Sequence, residues 1–122
     1  MAVVLIIEDN DPIRENVSEL FEMSGHCVIS AGNGSEGLIL AKTKNPDIIF
    51  CDIQLPIMNG YEILASLKLE KHTAKIPFIF LTSACEKKEI ATGMALGANA
   101  YIIKPFSIEE LTETICSYCE NK

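Results

Sequence analysis

The stretch Phe50-Cys51-Asp52-Ile53-Gln54-Leu55-Pro56-Ile57-Met58-Asn59-Gly60-Tyr61-Glu62-Ile63-Leu64 joins the end of an apolar run to the start of a helical stripe. Residues 47–51 read as a buried strand. A bare carboxylate, Asp52, follows at once, and the chain then passes through a proline and glycine turn. From Gly60 to about Glu70, Ile63, Leu64 and Leu67 recur at helical spacing. A strand that only had to end could have used almost any polar residue, so the carboxylate asks for a reason.

The same strand, loop and helix unit repeats in both directions. Val3-Val4-Leu5-Ile6-Ile7 is another apolar run, after which Asp11-Pro12 supply an N-cap and a first-turn proline. Ile13, Val17, Leu20 and Phe21 then share one helical face, and Gly25 ends it. Residues 27–30 form a weaker strand. Asn33 and Glu36 have capping-box spacing and open a helix to about Lys44. Residues 76–81 make a fourth strand, 86–96 a fourth helix and 100–103 a fifth strand. Ser107 and Glu110 repeat the capping-box spacing before a last helix that runs to about Tyr118.

Five strands separated by helices call for a parallel sheet, since successive parallel strands need a helical crossover. The expected fold is α/β, a single (βα)5 doubly wound sheet of flavodoxin-like order 2-1-3-4-5, one domain over residues 1–122. In that order strands one and three are neighbours, and a ligand binds in the crevice at their carboxyl ends.

Bulk composition narrows the function. Seventeen acidic against ten basic residues give a net charge of −7, which repels nucleic acid and anionic membrane surfaces. No apolar run approaches the ~20 residues that span a bilayer, and no leader pattern precedes Glu8-Asp9. The default location is cytoplasmic. Five cysteines, Cys27, Cys51, Cys85, Cys116 and Cys119, are scattered as reduced thiols rather than laid out as a disulfide framework. The Cys116-x-x-Cys119 spacing has no second pair of ligands, and Cys119 shares a helical face with Ile108, Leu111 and Ile115, which makes it a small core residue.

Four of the five strands end in a polar or reactive group on one sheet edge: Glu8-Asp9, Asp52, Thr82 and Lys104. Taken singly, each has an ordinary reading as a turn cap or a solvated side chain. Together they carry three negative charges against one positive. Two carboxylates ~4 Å apart repel by about 4 kcal/mol at an effective dielectric of 20. An all-oxygen set of this kind suits Mg²⁺ better than zinc. A carboxylate beside such a cation can act as nucleophile toward a phosphoryl group. Asp52 would attack, Lys104 and Thr82 would hold phosphoryl oxygens, Asp9 would ligate the metal, and Glu8 would do so directly or through water.

The segments Ile7-Glu8-Asp9-Asn10-Asp11, Asp52 through Gly60, Leu81-Thr82-Ser83-Ala84 and Lys104-Pro105-Phe106, in that order, resemble a chemotaxis-regulator-like response-regulator receiver domain of two-component signalling. The resemblance implies that Asp52 is the phosphoacceptor, charged by a histidine kinase or a histidine phosphotransfer protein. It implies Mg²⁺ held by Asp9, Asp52 and the backbone carbonyl of Gln54, with Glu8 in support. It makes Thr82 and Tyr101 a switch pair and the Lys104-Pro105 bond often cis. The output face would be the helix over 86–96, the fifth strand and the last helix, read by an effector protein or output domain. Such a chain is a switch, catalysing only its own phosphorylation and dephosphorylation. A phosphorylation-dependent homodimer stays open, as does excision from a longer regulator or hybrid kinase. Gln54 and Ala84 occupy positions that tune phosphoryl lifetime in such domains.

Two rivals fit less well. A flavodoxin-like FMN carrier needs a phosphate loop where this chain has Glu8-Asp9-Asn10-Asp11. An aspartate-nucleophile phosphohydrolase needs a second acid where Gln54 stands.

Overall fold

The computed structural model describes residues 1–83 and 87–119. Ala84, Cys85 and Glu86 lie outside the described residues, and with them one cysteine, one position expected to tune phosphoryl lifetime and the expected first residue of a helix. The elements run β1 (Val3–Ile7), α1 (Asp11–Met23), β2 (Cys27–Ala31), α2 (Gly34–Lys44), β3 (Ile48–Asp52), α3 (Gly60–Lys68), α4 (Lys71–Ala74), β4 (Phe78–Thr82), α5 (Lys87–Ala95), β5 (Ala100–Ile103) and α6 (Ile108–Tyr118). All strand pairs are parallel, and the order is β2-β1-β3-β4-β5, as expected from the sequence.

Strand alternation divides the core into two layers. On one face Leu5, Ile7, Ile49, Cys51, Phe78 and Phe80 pack with Ala41 of α2 and Ile63, Leu64 and Leu67 of α3. On the other, Val4, Ile6, Phe50, Ile79, Leu81 and Ile102 pack with Val17 and Phe21 of α1 and Leu111 and Ile115 of α6. β3 and β4 are buried along their whole lengths, which is why they read as unbroken apolar runs. Cys51 faces the α3 layer, on the opposite side of the strand from Asp52, as the alternation requires. α5 joins that layer through Gly93, where a Cβ would stand 2.6 Å from Cε2 of Phe80. The Tyr61 hydroxyl donates to the Glu89 carbonyl at 2.9 Å and ties α3 to α5.

Local chemistry moves several boundaries. Asn10, not Asp11, caps α1: its side chain accepts from the Ile13 N–H, and proline falls in the first turn. β4 starts at Phe78 rather than at residue 76, because the Ile76 N–H is spent on the Thr73 carbonyl and Pro77 has none to give. The short α4 has no apolar periodicity to announce it and is held by the Thr73 hydroxyl on the Leu67 carbonyl at 2.6 Å. α3 ends two residues earlier than expected and carries an Asn59/Glu62 capping box. The Ser107/Glu110 capping box forms as expected. Cys27 and Cys116 are exposed and Cys51 is buried, and Cys119 packs against the α1–α6 layer. No helix among the described residues is long and apolar enough to cross a membrane.

Candidate functional site

The carboxyl ends of β1 and β3 bring three acids together. Glu8, Asp9 and Asp52 each offer an oxygen, and these atoms lie within 4.8 Å of one another. Their surroundings differ sharply. Glu8 is 1% exposed and Asp52 9%, whereas Asp9 is open to solvent. Two buried carboxylates side by side need a compensating cation. Lys104, just past the end of β5, supplies one: its Nζ donates to Glu8 Oε1 at 2.7 Å and to Asp52 Oδ2 at 3.1 Å. Burial works to lower the Lys104 pKa, but the hydrogen bonds and charges of Glu8 and Asp52 outweigh it and hold the ammonium above its ordinary value.

The remaining oxygens are aimed by the backbone. Glu8 Oε2 accepts from the Asn10 N–H at 3.2 Å, and Asp52 Oδ1 accepts from the Gln54 N–H at 3.2 Å. Lys104 thus offsets one of three negative charges. The strain shows at Asp9, whose carboxyl, although the residue is exposed, is pushed up by partial desolvation at the crevice, then by the hydrogen bond and charge of Glu8, with its own backbone hydrogen bond and then Lys104 pulling it back. A divalent cation would relieve that crowding, and the donors are all oxygen. The residues therefore fit Mg²⁺.

Thr82 ends β4 at 2% exposure, one residue beyond Leu81, which pairs in register with Asp52. Its carbonyl accepts from the Lys104 N–H at 2.7 Å, so the threonine and the lysine sit on joined backbones. The Lys104–Pro105 bond is cis. Tyr101 lies on the edge strand, 42% exposed, beside a groove of about 360 Å³ shared with Glu110, Glu113, Thr114, Ser117 and Tyr118 of α6. Sequence reading missed Arg14, whose guanidinium reaches the Glu8 carbonyl at 2.8 Å.

The loop from Asp52 to α3 shows why the opening stretch needs its glycine. A Cβ at Gly60 would stand 2.6 Å from the Asp52 carbonyl oxygen and 3.0 Å from Ile53 Cα, both main-chain atoms with little room to yield. Gly60→Ala is expected to destabilise by about 1–3 kcal/mol, as overpacking does, measurable by denaturant unfolding. The same loop holds Ile57 in the left-handed region, at φ 70°, fully exposed. A β-branched residue is strained there, and asparagine tolerates it. Ile57→Asn is therefore expected to raise stability by about 1 kcal/mol, since no buried area is lost.

Known proteins share this fold. Residues 4–116 match the family model of the response regulator receiver domain. Protein PilH of Pseudomonas aeruginosa is 33% identical over 94% of this chain and 95% of its own length. The solved chemotaxis protein CheY4 of Vibrio cholerae superposes with a TM-score of 0.91 at 30% identity, covering 97% of this chain and 98% of that one. A receiver domain of a sensor histidine kinase from Pseudomonas aeruginosa PAO1, solved with a magnesium ion coordinated in its active site cleft, superposes at 0.87 with 25% identity over 96% of each chain. The chain spans about half the length of the transcriptional regulators that it also matches. Sheet order, acidic crevice and kinship agree: the chain belongs to the response regulator receiver domains of two-component signalling.

Proposed function

We propose that residues 1–122 act as one receiver domain in which Asp52 accepts a phosphoryl group in a Mg²⁺-dependent reaction. The observation that carries this reading is Asp52 itself. It is a nearly buried carboxylate, positioned by the Gln54 N–H and Lys104, in an acidic cluster that keeps net negative charge after Lys104 and could hold a further cation. A carboxylate oxygen of Asp52 bonds to phosphorus as the phosphorus–nitrogen bond of a phosphohistidine breaks, and the freed imidazole takes its proton from solvent. Asp9, Asp52 and the Gln54 backbone carbonyl would hold Mg²⁺, with Glu8 in support. When bound, the ion supplies charge neutralisation where the equatorial oxygens gather.

Lys104 remains after transfer as the cation beside the new phosphoryl oxygens, and the Thr82 hydroxyl turns toward them. The space Thr82 leaves admits the ring of Tyr101, which alters the α5–β5–α6 surface that an effector protein or output domain reads. The phosphodonor is a histidine kinase or a histidine phosphotransfer protein. Five cysteines scattered along the sequence without the layout of a disulfide framework support a cytoplasmic setting. The test is intact mass after incubation with acetyl phosphate, with and without Mg²⁺. A single labile phosphoryl adduct that forms only with Mg²⁺ supports the reading, and no adduct in protein shown to bind Mg²⁺ overturns it.

A further inference from the structure

Arg14 is the single arginine of the chain, and no step above uses it. It leaves the first turn of α1 and turns back over the loop that carries the acids. Nη1 donates to the Glu8 carbonyl at 2.8 Å, and Nη2 donates to Asp11 Oδ1 at 2.6 Å. The guanidinium lies over Gly32, where a Cβ would stand 3.3 Å from Nη1. The pair with Asp11 is of the exposed kind that contributes little, since Asp11 is 72% exposed. The bond to Glu8 differs, because its acceptor is the main-chain oxygen of the peptide that leads into Asp9.

Both neighbours of Asp9 are pinned. The Glu8 N–H donates to the Ala31 carbonyl at 3.1 Å, and the Asn10 N–H donates to Glu8 Oε2 at 3.2 Å. The Asn10 carbonyl accepts from the Arg14 N–H at 2.9 Å, and its side chain caps α1. The Asp9 carboxyl itself bonds to the Glu8 side chain and to its own backbone, and between the two anchors lies the plane of the Glu8–Asp9 peptide, whose oxygen Arg14 holds. A rotation of that plane would swing the exposed Asp9 side chain away from Glu8 and Asp52. We propose that Arg14 is a positioning residue for the divalent cation, its guanidinium gripping the Glu8 carbonyl so that the Asp9 carboxylate is held in the ligand cluster. This rests on the receiver reading only in taking Mg²⁺ as the cation. The planar fork matters as well as the charge, because it reaches the Glu8 carbonyl and Asp11 at once, which an ammonium does not do.

The test compares wild type, Arg14→Ala and Arg14→Lys by calorimetric titration with Mg²⁺ and by thermal unfolding in chelator. Outer partners of metal ligands are typically worth about 10- to 100-fold in affinity, and Arg14→Ala should lose that much. Its unfolding temperature in chelator should stay near wild type, and its phosphorylation should recover at saturating Mg²⁺. Arg14→Lys should recover little of the affinity. Unchanged affinity in Arg14→Ala, a loss matched by unfolding in chelator, or full rescue by lysine would each overturn the proposal. Failure here is separable from failure of the receiver reading. Wild type that binds Mg²⁺ without forming an adduct sinks the phosphoacceptor and leaves Arg14 standing, whereas normal phosphorylation with unchanged affinity in Arg14→Ala sinks Arg14 alone. Wild type that does not bind Mg²⁺ sinks both.

Discussion

Replacing Asp52 by Asn is expected to abolish the Mg²⁺-dependent phosphoryl adduct while leaving the protein folded. The carboxamide keeps an oxygen that can accept from the Gln54 N–H, so the geometry of the β3 end is preserved. It is no nucleophile toward phosphorus, and the acyl phosphate cannot form. The substitution also removes one of three crowded acids, leaving Glu8 and Asp9 against Lys104. Stability in chelator should therefore hold or rise, and the stabilisation gained on adding Mg²⁺ should shrink. Intact mass and paired melting curves check both halves. An undiminished adduct in the variant would place the chemistry on another residue.

The second large effect is expected at Lys104. Lys104→Ala removes the donor nearest both Glu8 and Asp52, and with it the only cation among the described residues bonded to both acids. Losing one preorganised donor at a developing oxyanion typically costs about 10²–10³ in rate. The rate of adduct formation at saturating Mg²⁺ should fall by that order. Binding of the metal should move the other way: with three acids and no ammonium, the cluster attracts a divalent cation more strongly, and calorimetry should show tighter Mg²⁺ binding. A variant that loses metal affinity and rate together would show Lys104 to be a structural support instead.

The crevice was legible in the sequence for a reason particular to parallel sheets. Every strand of such a sheet points the same way, so residues that end successive strands share one edge whatever their separation along the chain. Glu8, Asp52, Thr82 and Lys104 could be placed together from strand ends alone, and strand order made β1 and β3 neighbours. Capping at Ser107 was legible because a capping box is local. What escaped depended on the reach of side chains. Arg14 meets Glu8 through a long, flexible stem from a helix, which no periodicity marks. The contrast between buried Glu8 and exposed Asp9 escaped as well, since adjacent acids look alike until the sheet is closed over one of them. Asn10 displaced Asp11 as the cap because either residue type can fill that position, and only the backbone path decides between them.

The central claim is that Asp52 carries the phosphoryl group. The most direct measurement is to phosphorylate the protein with acetyl phosphate and Mg²⁺, reduce it with borohydride, and sequence the peptides by mass spectrometry. An acyl phosphate is reduced to the alcohol, so an aspartyl phosphate is read as homoserine at that position. Homoserine at position 52, absent when Mg²⁺ is withheld, is the predicted result. Homoserine at Asp9 or elsewhere, or a stable phosphoryl group on a hydroxyl side chain, would contradict it.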